Sequence, residues 1–221
     1  MADLGVFIVL EGLDGSGTTT QTELLKEWFS QDGAVYGRCV ATCEPTAGPA
    51  GSMTRMALNH RLALDSRTMA LLFAADRTDH IFKDADGRQE PGLYHMLHQG
   101  MHVVSDRFLL SSLAYQSLDL PMEWVYQINA QAIRPDITVF IDIDPAVSGK
   151  RLLEGRYHQD LFEASETQLR VQAQYEKAIQ FLHGEGHNVR RVDGSKPIHD
   201  VRDDILALVS PILASRKASS I

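Results

Sequence analysis

Val6-Phe7-Ile8-Val9-Leu10-Glu11-Gly12-Leu13-Asp14-Gly15-Ser16-Gly17-Thr18-Thr19-Thr20-Gln21 is the stretch from which the rest of the chain is read. A short, β-branched apolar run passes directly into a glycine-rich turn. Such a run suits a strand covered on both faces of a parallel sheet. Beyond the turn, Leu24, Leu25, Trp28 and Phe29 fall at i, i+1, i+4 and i+5. That spacing predicts a helix over 18–30 that lays one stripe on the sheet. Strand, glycine turn and helix start together leave several backbone N–H groups unpaired. They point where a phosphate would sit, helped by the positive end of the helix dipole.

Gly12-x-x-x-x-Gly17 followed by Thr18-Thr19 has P-loop spacing, in which a Ser/Thr hydroxyl binds Mg²⁺ and a Lys reaches the β- and γ-phosphates. Thr19 takes the hydroxyl position, whereas Thr18 stands where the Lys belongs. Gly12, Gly15, Ser16, Gly17, Thr18, Thr19 and Thr20 form the candidate phosphate-binding set. A dinucleotide fingerprint over Gly15-x-Gly17-x-x-Thr20 fits less well, because Thr20 occupies the place of a small residue needed for close helix packing. An ordinary strand-to-helix turn is the remaining reading.

The 221 residues, 44% of them hydrophobic, are enough for one α/β domain over 1–221. A formal charge of −8 argues against nucleic acid or an anionic membrane as partner. No segment approaches the roughly 18 consecutive apolar residues of a membrane span, and the N-terminus enters the first strand without a signal peptide, so a cytoplasmic location is expected. Cys39 and Cys43 lie in or near a strand, where four residues span about 13 Å. That is too far for a disulfide, and two thiols fit a reducing compartment.

Further strands are expected over 35–42, 101–107, 137–145 and 188–192. Helices are expected over 66–84, 93–98, 121–132 and 146–154, then a long one to residue 183 and a final one to about 213, with the tail after Ser215 fraying. Alternating strands and helices predict a parallel sheet. The stretch 44–49 is rich in Pro and Gly and ends a strand at the sheet edge where ligands bind in open α/β folds, or is an ordinary loop. Residues 84–91 read as a surface loop. Phe73 and Arg77 are four apart and share a helix face. His95, His98 and His102 are scattered by Gly100, so no metal is expected there. Asp106, at the end of a strand, is placed to hold Mg²⁺, to cap the next helix, or to do both. Asp142 and Asp144 point to the same side, with Asp144 placed to cap a helix. The polar segment 155–160 between two helices is a mobile cover or a loop, and the Asn-Lys-x-Asp motif of a GTPase is missing from the sequence.

Several motifs, in order and across nearly the whole chain, resemble the thymidylate kinase family. Phe7 to Gly17 is similar to its P-loop strand and turn. Thr42-Cys43-Glu44-Pro45-Thr46-x-Gly48-Pro49-x-Gly51, with Arg55 beyond it, resembles the family's T-R-E-P segment. Leu72-Phe73-Ala74-Ala75-Asp76-Arg77 resembles its nucleobase helix, and Asp106-Arg107-Phe108 with Ser111-Ser112-x-Ala114-Tyr115-Gln116 its D-R-Y/H segment and following helix. Arg134-Pro135-Asp136 and the strand with Ile141-Asp142 also fit.

The resemblance implies a three-layer α/β P-loop kinase fold with a five-stranded parallel sheet flanked by helices, a short lid at 155–161, and a homodimer that phosphorylates dTMP with ATP and Mg²⁺. By the same resemblance Phe73 stacks on thymine, Arg77 donates to its O4, and Ser112 and Gln116 contact the base. Glu44 and Pro45 belong to the dTMP site. Tyr115 lies near the sugar and helps exclude a 2′-hydroxyl. Asp14 meets the acceptor's sugar or phosphate end, Arg55 and Arg107 its phosphate, and Thr19 and Asp106 hold Mg²⁺. Three charged positions depart from the family pattern: Thr18 for Lys, Cys43 for Arg, and Leu161 for the lid Arg of D-R-x-E. With Gly15 inside the P-loop, the lid must supply the catalytic charge. Arg156 is favoured over Lys150 and Arg151, so Arg156, Arg107 and Asp14 are the candidate catalytic residues. Two readings follow: an active kinase, and a nucleotide-binding protein without kinase activity. A nucleoside kinase is weaker, since Arg55 and Arg107 suit an acceptor that already carries phosphate.

Overall fold

The computed structural model describes residues 4–31, 33–83, 91–154 and 161–218. Strand β1 (Phe7–Gly12) is buried from end to end, and its side chains alternate between two cores. Phe7 and Val9 enter one core, and Ile8 and Leu10 enter the other. A strand apolar on both faces must be covered on both, which sets a three-layer arrangement.

In chain order, α1 (Thr18–Ser30) is followed by β2 (Cys39–Cys43), α2 (Pro49–Leu58), α3 (Ser66–Phe82), α4 (Leu93–His98) and β3 (His102–Asp106). Then come α5 (Leu109–Gln116), α6 (Met122–Ile128), β4 (Ile137–Asp142), α7 (Pro145–Glu154), α8 (Leu161–Gly184), β5 (Val189–Asp193) and α9 (Ile198–Ala218). The five strands run parallel in the order β2-β3-β1-β4-β5, as the alternation of strands and helices predicts. Leu25 and Phe29 of α1 and Val201, Ile205 and Val209 of α9 cover one face. Residues of α3, α4, α5, α6 and α8 cover the other. Register pairs Cys43 with Asp106, Leu10 with Asp106, and Glu11 with Phe140, so the carboxyl ends of the strands finish side by side. Polar residues therefore collect at one edge of the sheet.

Some expected boundaries are corrected. The strand expected over 35–42 is a 3₁₀ turn at Ala34–Tyr36 and a strand that begins at Cys39. Gly37 turns the chain with φ 112°, and Tyr36 stacks on Trp28 instead of joining the sheet. Helix α2 follows the Pro/Gly-rich stretch and was not anticipated; Pro49 occupies its first turn, where a missing N–H costs nothing. Helix α6 stops at Ile128, short of 132, because the side chain of Asn129 turns inward to donate to the Val125 carbonyl at 2.8 Å. Helix α9 runs past Ser215 to Ala218 instead of fraying, tied down by the Arg216–Asp136 ion pair and by Lys217 on the Val35 carbonyl at 3.1 Å. The stretch expected as a surface loop at 84–91 lies, apart from Pro91, outside the described residues, as do Arg156 and, apart from Leu161, the lid expected at 155–161. Among the described residues no helix is long and apolar enough to cross a membrane.

One buried histidine links three elements at the opposite edge. His102 Nδ1 accepts the Val6 N–H at 2.9 Å, its Nε2 donates to the Tyr36 carbonyl at 2.9 Å, and its ring stacks on Phe29 at 5.3 Å. Burial holds its pKa below the ordinary 6.5. The unfolded chain therefore takes up a proton before the folded one does, so this stabilisation is present above pH 6.5 and is lost as pH falls through the depressed folded value. His102→Gln is expected to cost about 1–3 kcal/mol at neutral pH and to flatten this acid limb, read from urea unfolding at a series of pH values.

Candidate active site

The glycine turn needs its glycines for stated reasons. A Cβ on Gly12 would lie 2.4 Å from Ser16 Oγ and 2.9 Å from the Ile141 carbonyl oxygen, and Gly17 takes φ 95° with open space around it. Gly17 is the N-cap of α1 with no side-chain cap, and the first intrahelical bond is Gln21 N–H to Gly17 C=O at 3.0 Å. The N–H groups of Thr18, Thr19 and Thr20 precede that bond, so the helix start is a bare anion cradle. Thr18, at the Lys position, is buried.

Thr19 Oγ1 donates to Asp106 Oδ2, while Asp106 Oδ1 is buried without a partner among the described residues. A hydroxyl and a carboxylate with a spare oxygen, both hard donors beside a phosphate cradle, fit Mg²⁺. Asp106 does not cap α5. That role falls to Glu11, whose Oε1 accepts the N–H groups of Phe108 at 2.9 Å and Ser111 at 3.1 Å. Between them Arg107 sits at φ 70°, in the left-handed region, held by its N–H to the Leu10 carbonyl at 2.8 Å. Its guanidinium pairs with Asp14 at 2.6 Å and lies 5.5 Å over the Tyr115 ring.

A cavity of about 350 Å³ opens beside this pair. Asp14, Glu44, Pro45, Phe73, Arg77, Arg107, Ser112, Tyr115 and Gln116 all line it, brought together from five segments of the chain. Arg55 is not part of the lining; it donates to the Pro45 carbonyl at 2.6 Å and to the Thr46 carbonyl. Lys150 and Arg151 are exposed on α7. Asp144 caps α7, its Oδ1 accepting from Ala146 N–H at 2.7 Å, whereas Asp142 pairs with Arg191 at 2.7 Å.

Arg77 is 2% exposed, and burial of a guanidinium demands a partner for its charge. Its Nε and Nη2 meet Glu44 Oε2 at 2.9 and 2.7 Å. Its Nη2 also donates to the Phe108 carbonyl and Ser112 Oγ, both at 2.9 Å, and its Nη1 to Asn129 Oδ1. The other Glu44 oxygen is hydrogen-bonded to His80 Nδ1 at 3.0 Å, and His80 Nε2 to Thr42 Oγ1 at 2.8 Å. Ser112 accepts from Arg77, so its own proton is left to give. Tyr115 Oη and Gln116 Oε1 are buried without partners among the described residues, and burial pushes the Tyr115 phenol up to about 12, keeping it a donor. Orphaned polar atoms in a cavity mark where a ligand makes bonds.

Glu11, His80, Asn129 and Tyr175 were not singled out from sequence. Glu11 alone left a trace, as a charge at the end of an apolar strand.

An uncapped helix start after a glycine turn, an open cavity lined by Asp14 of that turn and by two arginines, and a spare carboxylate oxygen at the strand ends make the arrangement of a P-loop nucleotide kinase. The thymidylate kinase family model matches residues 10–205. The probable thymidylate kinase of Pyrococcus abyssi is 37% identical over 212 residues, covering 93% of this chain and 96% of that one. That of Thermococcus gammatolerans is 32% identical over 225 residues (96% and 99%), and that of Methanococcus vannielii 40% over 172 residues (77% and 76%). The chain belongs to the thymidylate kinase family, whose members are phosphotransferases that phosphorylate dTMP. Nothing in these comparisons favours the reading as a protein without kinase activity.

Arg77→Ala leaves the Glu44 carboxylate buried and short of its charge partner, and is expected to destabilise the fold by about 3–5 kcal/mol in urea unfolding. Replacing both partners, as Arg77→Met with Glu44→Leu, is expected to recover at least half of that loss in a double-mutant cycle.

Proposed function

We propose that the chain transfers the γ-phosphoryl group of ATP to dTMP as a cytoplasmic homodimer, each copy a single domain of 1–221 with residues 155–161 as its lid. The observation that carries the reading is the cavity: an aromatic ring, Phe73, and two guanidinium groups, Arg77 and Arg107, beside a bare helix start. Phe73 offers a face for the base and Arg77, with Ser112 and Gln116, its polar edge. Glu44 orients Arg77 while Pro45 walls the site, and Tyr115 stands at the sugar. Asp14 and Arg107 take the acceptor's phosphate end, with Arg55 nearby. Gly12, Gly15, Ser16, Gly17, Thr18, Thr19 and Thr20 form the cradle for the donor phosphates, with the N–H groups of Thr18, Thr19 and Thr20 at the start of α1 as its donors. Thr19 and Asp106 would hold Mg²⁺, which would offset the negative charge of the donor phosphates. A net charge of −8 is consistent with small nucleotide partners and with neither nucleic acid nor membrane.

A coupled assay of ADP release with dTMP and Mg-ATP tests the reading, and no turnover would refute it. In the same assay Asp106→Asn is expected to lose activity that added Mg²⁺ partly restores. Parent-like turnover at low Mg²⁺ would assign Asp106 no metal.

Thr18 leaves the donor phosphates short of one positive charge. Arg156 lies outside the described residues, and its assignment rests on its place in the lid segment. A planar guanidinium can bridge two phosphate oxygens without standing where a Lys would. Arg156→Ala is expected to lower kcat about 100-fold with KM for dTMP nearly unchanged, and Thr18→Lys in that background to recover part of the loss. Parent-like kinetics in Arg156→Ala would shift the role to Lys150, to Arg151 or to the cradle with Mg²⁺.

A further inference from the structure

Three oxygen-to-oxygen contacts run in series beneath the site. Glu11 Oε2 is hydrogen-bonded to Ser111 Oγ; Ser111 Oγ lies 2.9 Å from Tyr175 Oη; Tyr175 Oη lies 2.9 Å from the Gly12 carbonyl oxygen. Each contact requires one proton between its two oxygens. Ser111 and Tyr175 own one hydroxyl proton apiece, and the Gly12 carbonyl owns none. Two protons cannot fill three contacts, however the hydroxyls rotate. The Arg107 guanidinium donates to Ser111 Oγ at 3.3 Å and to Tyr175 Oη at 3.5 Å, but from outside the series, so it adds no proton between the oxygens. The missing proton can come only from the Glu11 carboxyl. With it in place every donor points one way: Glu11 to Ser111, Ser111 to Tyr175, Tyr175 to Gly12. Glu11 Oε1 stays an acceptor for the N–H groups of Phe108 and Ser111.

We propose that Glu11 is held as a neutral carboxylic acid, a positioning residue that starts a directed hydrogen-bond chain from β1 through α5 and α8 back to the glycine turn. Its surroundings favour that state. Glu11 and Tyr175 are each 0% exposed, and burial pushes the Glu11 carboxyl up from its ordinary 4.5 and the Tyr175 phenol well above its own ordinary value. The charged group that opposes this is Arg107; Tyr115 and Asp14 are the other titratable groups around it. Arg107 makes its ion pair with Asp14 at 2.6 Å and none with Glu11. An ionised Glu11 would neutralise Arg107 from behind. A neutral one leaves that charge to the incoming anion, a consequence that rests on the proposed phosphate role of Arg107.

Glu11→Gln mimics the neutral acid, because its amide donates to Ser111 while its carbonyl accepts the two N–H groups. Parent and variant are unfolded in urea from about pH 5 to about pH 8. A carboxyl whose folded pKa is raised contributes stability that is fully present below the unfolded value and is lost as pH rises through the folded one. The stability difference is therefore expected to move in favour of Glu11→Gln as pH rises. A variant that instead loses ground as pH rises, or does not fold at neutral pH, overturns the proposal. Infrared spectra of the parent give a reading that needs no variant: the carbonyl band of a neutral carboxylic acid, shifted in D₂O, is expected at neutral pH, and its absence overturns the proposal. Calorimetric dTMP affinity without donor is expected to weaken at high pH in the parent and to stay level in Glu11→Gln. The same profile in both removes the consequence for Arg107. Failure of dTMP to bind at all refutes the functional reading, and the stability arm then decides Glu11.

Discussion

Burial of the Arg77 guanidinium is the constraint from which the acceptor side of the molecule is built. A charge with 2% exposure is tolerable only when its donors meet fixed acceptors, and these come from widely separated parts of the chain. Glu44 arrives from the end of β2, Phe108 and Ser112 from the start of α5, and Asn129 from the end of α6. Three segments are thus located relative to α3 by one planar group, whose fork geometry also fixes their angles. His80 then holds the far side of Glu44, so neither carboxylate oxygen is free to turn away. The cavity wall formed in this way is rigid because moving any element would strand a buried charge.

The donor side is organised on a different basis. In the proposed reading its donors are backbone N–H groups at the start of α1, and their direction is set by the helix rather than by side-chain packing. Phosphates need charge complementarity and no base-specific pattern, so a cradle of main-chain dipoles suffices for placement. Thr18 keeps this geometry while removing the charge that usually accompanies it. The pairing of Thr19 with Asp106 survives intact and joins α1 to β3 directly across the strand ends. The change at Thr18 therefore touches the electrostatics of transfer and leaves the scaffold alone.

What the sequence makes legible follows the range of the interactions involved. β1 is readable because a buried strand is a local composition, and Phe73 and Arg77 because helical spacing puts them on one face. The motifs from Glu44 to Gln116 mark ten of the fifteen residues that line the cavity and the glycine turn marks Asp14, while Leu58, Ser66, Met69 and Asp119 are missed. The start of β2 is not readable, since β-branched Val35 and aromatic Tyr36 look like strand residues until Trp28 captures Tyr36. Helix α2 is hidden by its own glycines and prolines, which as a composition signal loop. Glu11, Asn129 and Tyr175 are opaque for another reason: their partners lie about 50 to 160 residues away in the chain. Local pattern carries no information about such pairings.

The two sides meet at Arg107, and the backbone there explains why they meet in that way. A non-glycine residue at φ 70° is held only where surrounding bonds overdetermine it, and here Leu10 takes its N–H while Glu11 takes those of Phe108 and Ser111. Both acceptors belong to β1, the strand that leads into the glycine turn. The turn to α5 is therefore templated by the donor-side strand, and a shift of one drags the other. Tyr175 closes the loop from α8, touching the Gly12 carbonyl on one side and Ser111 on the other. Displacement of α8 therefore reaches both the glycine turn and the start of α5 through the same hydroxyl. The glycine turn, the start of α5 and helix α8 thus share one buried junction.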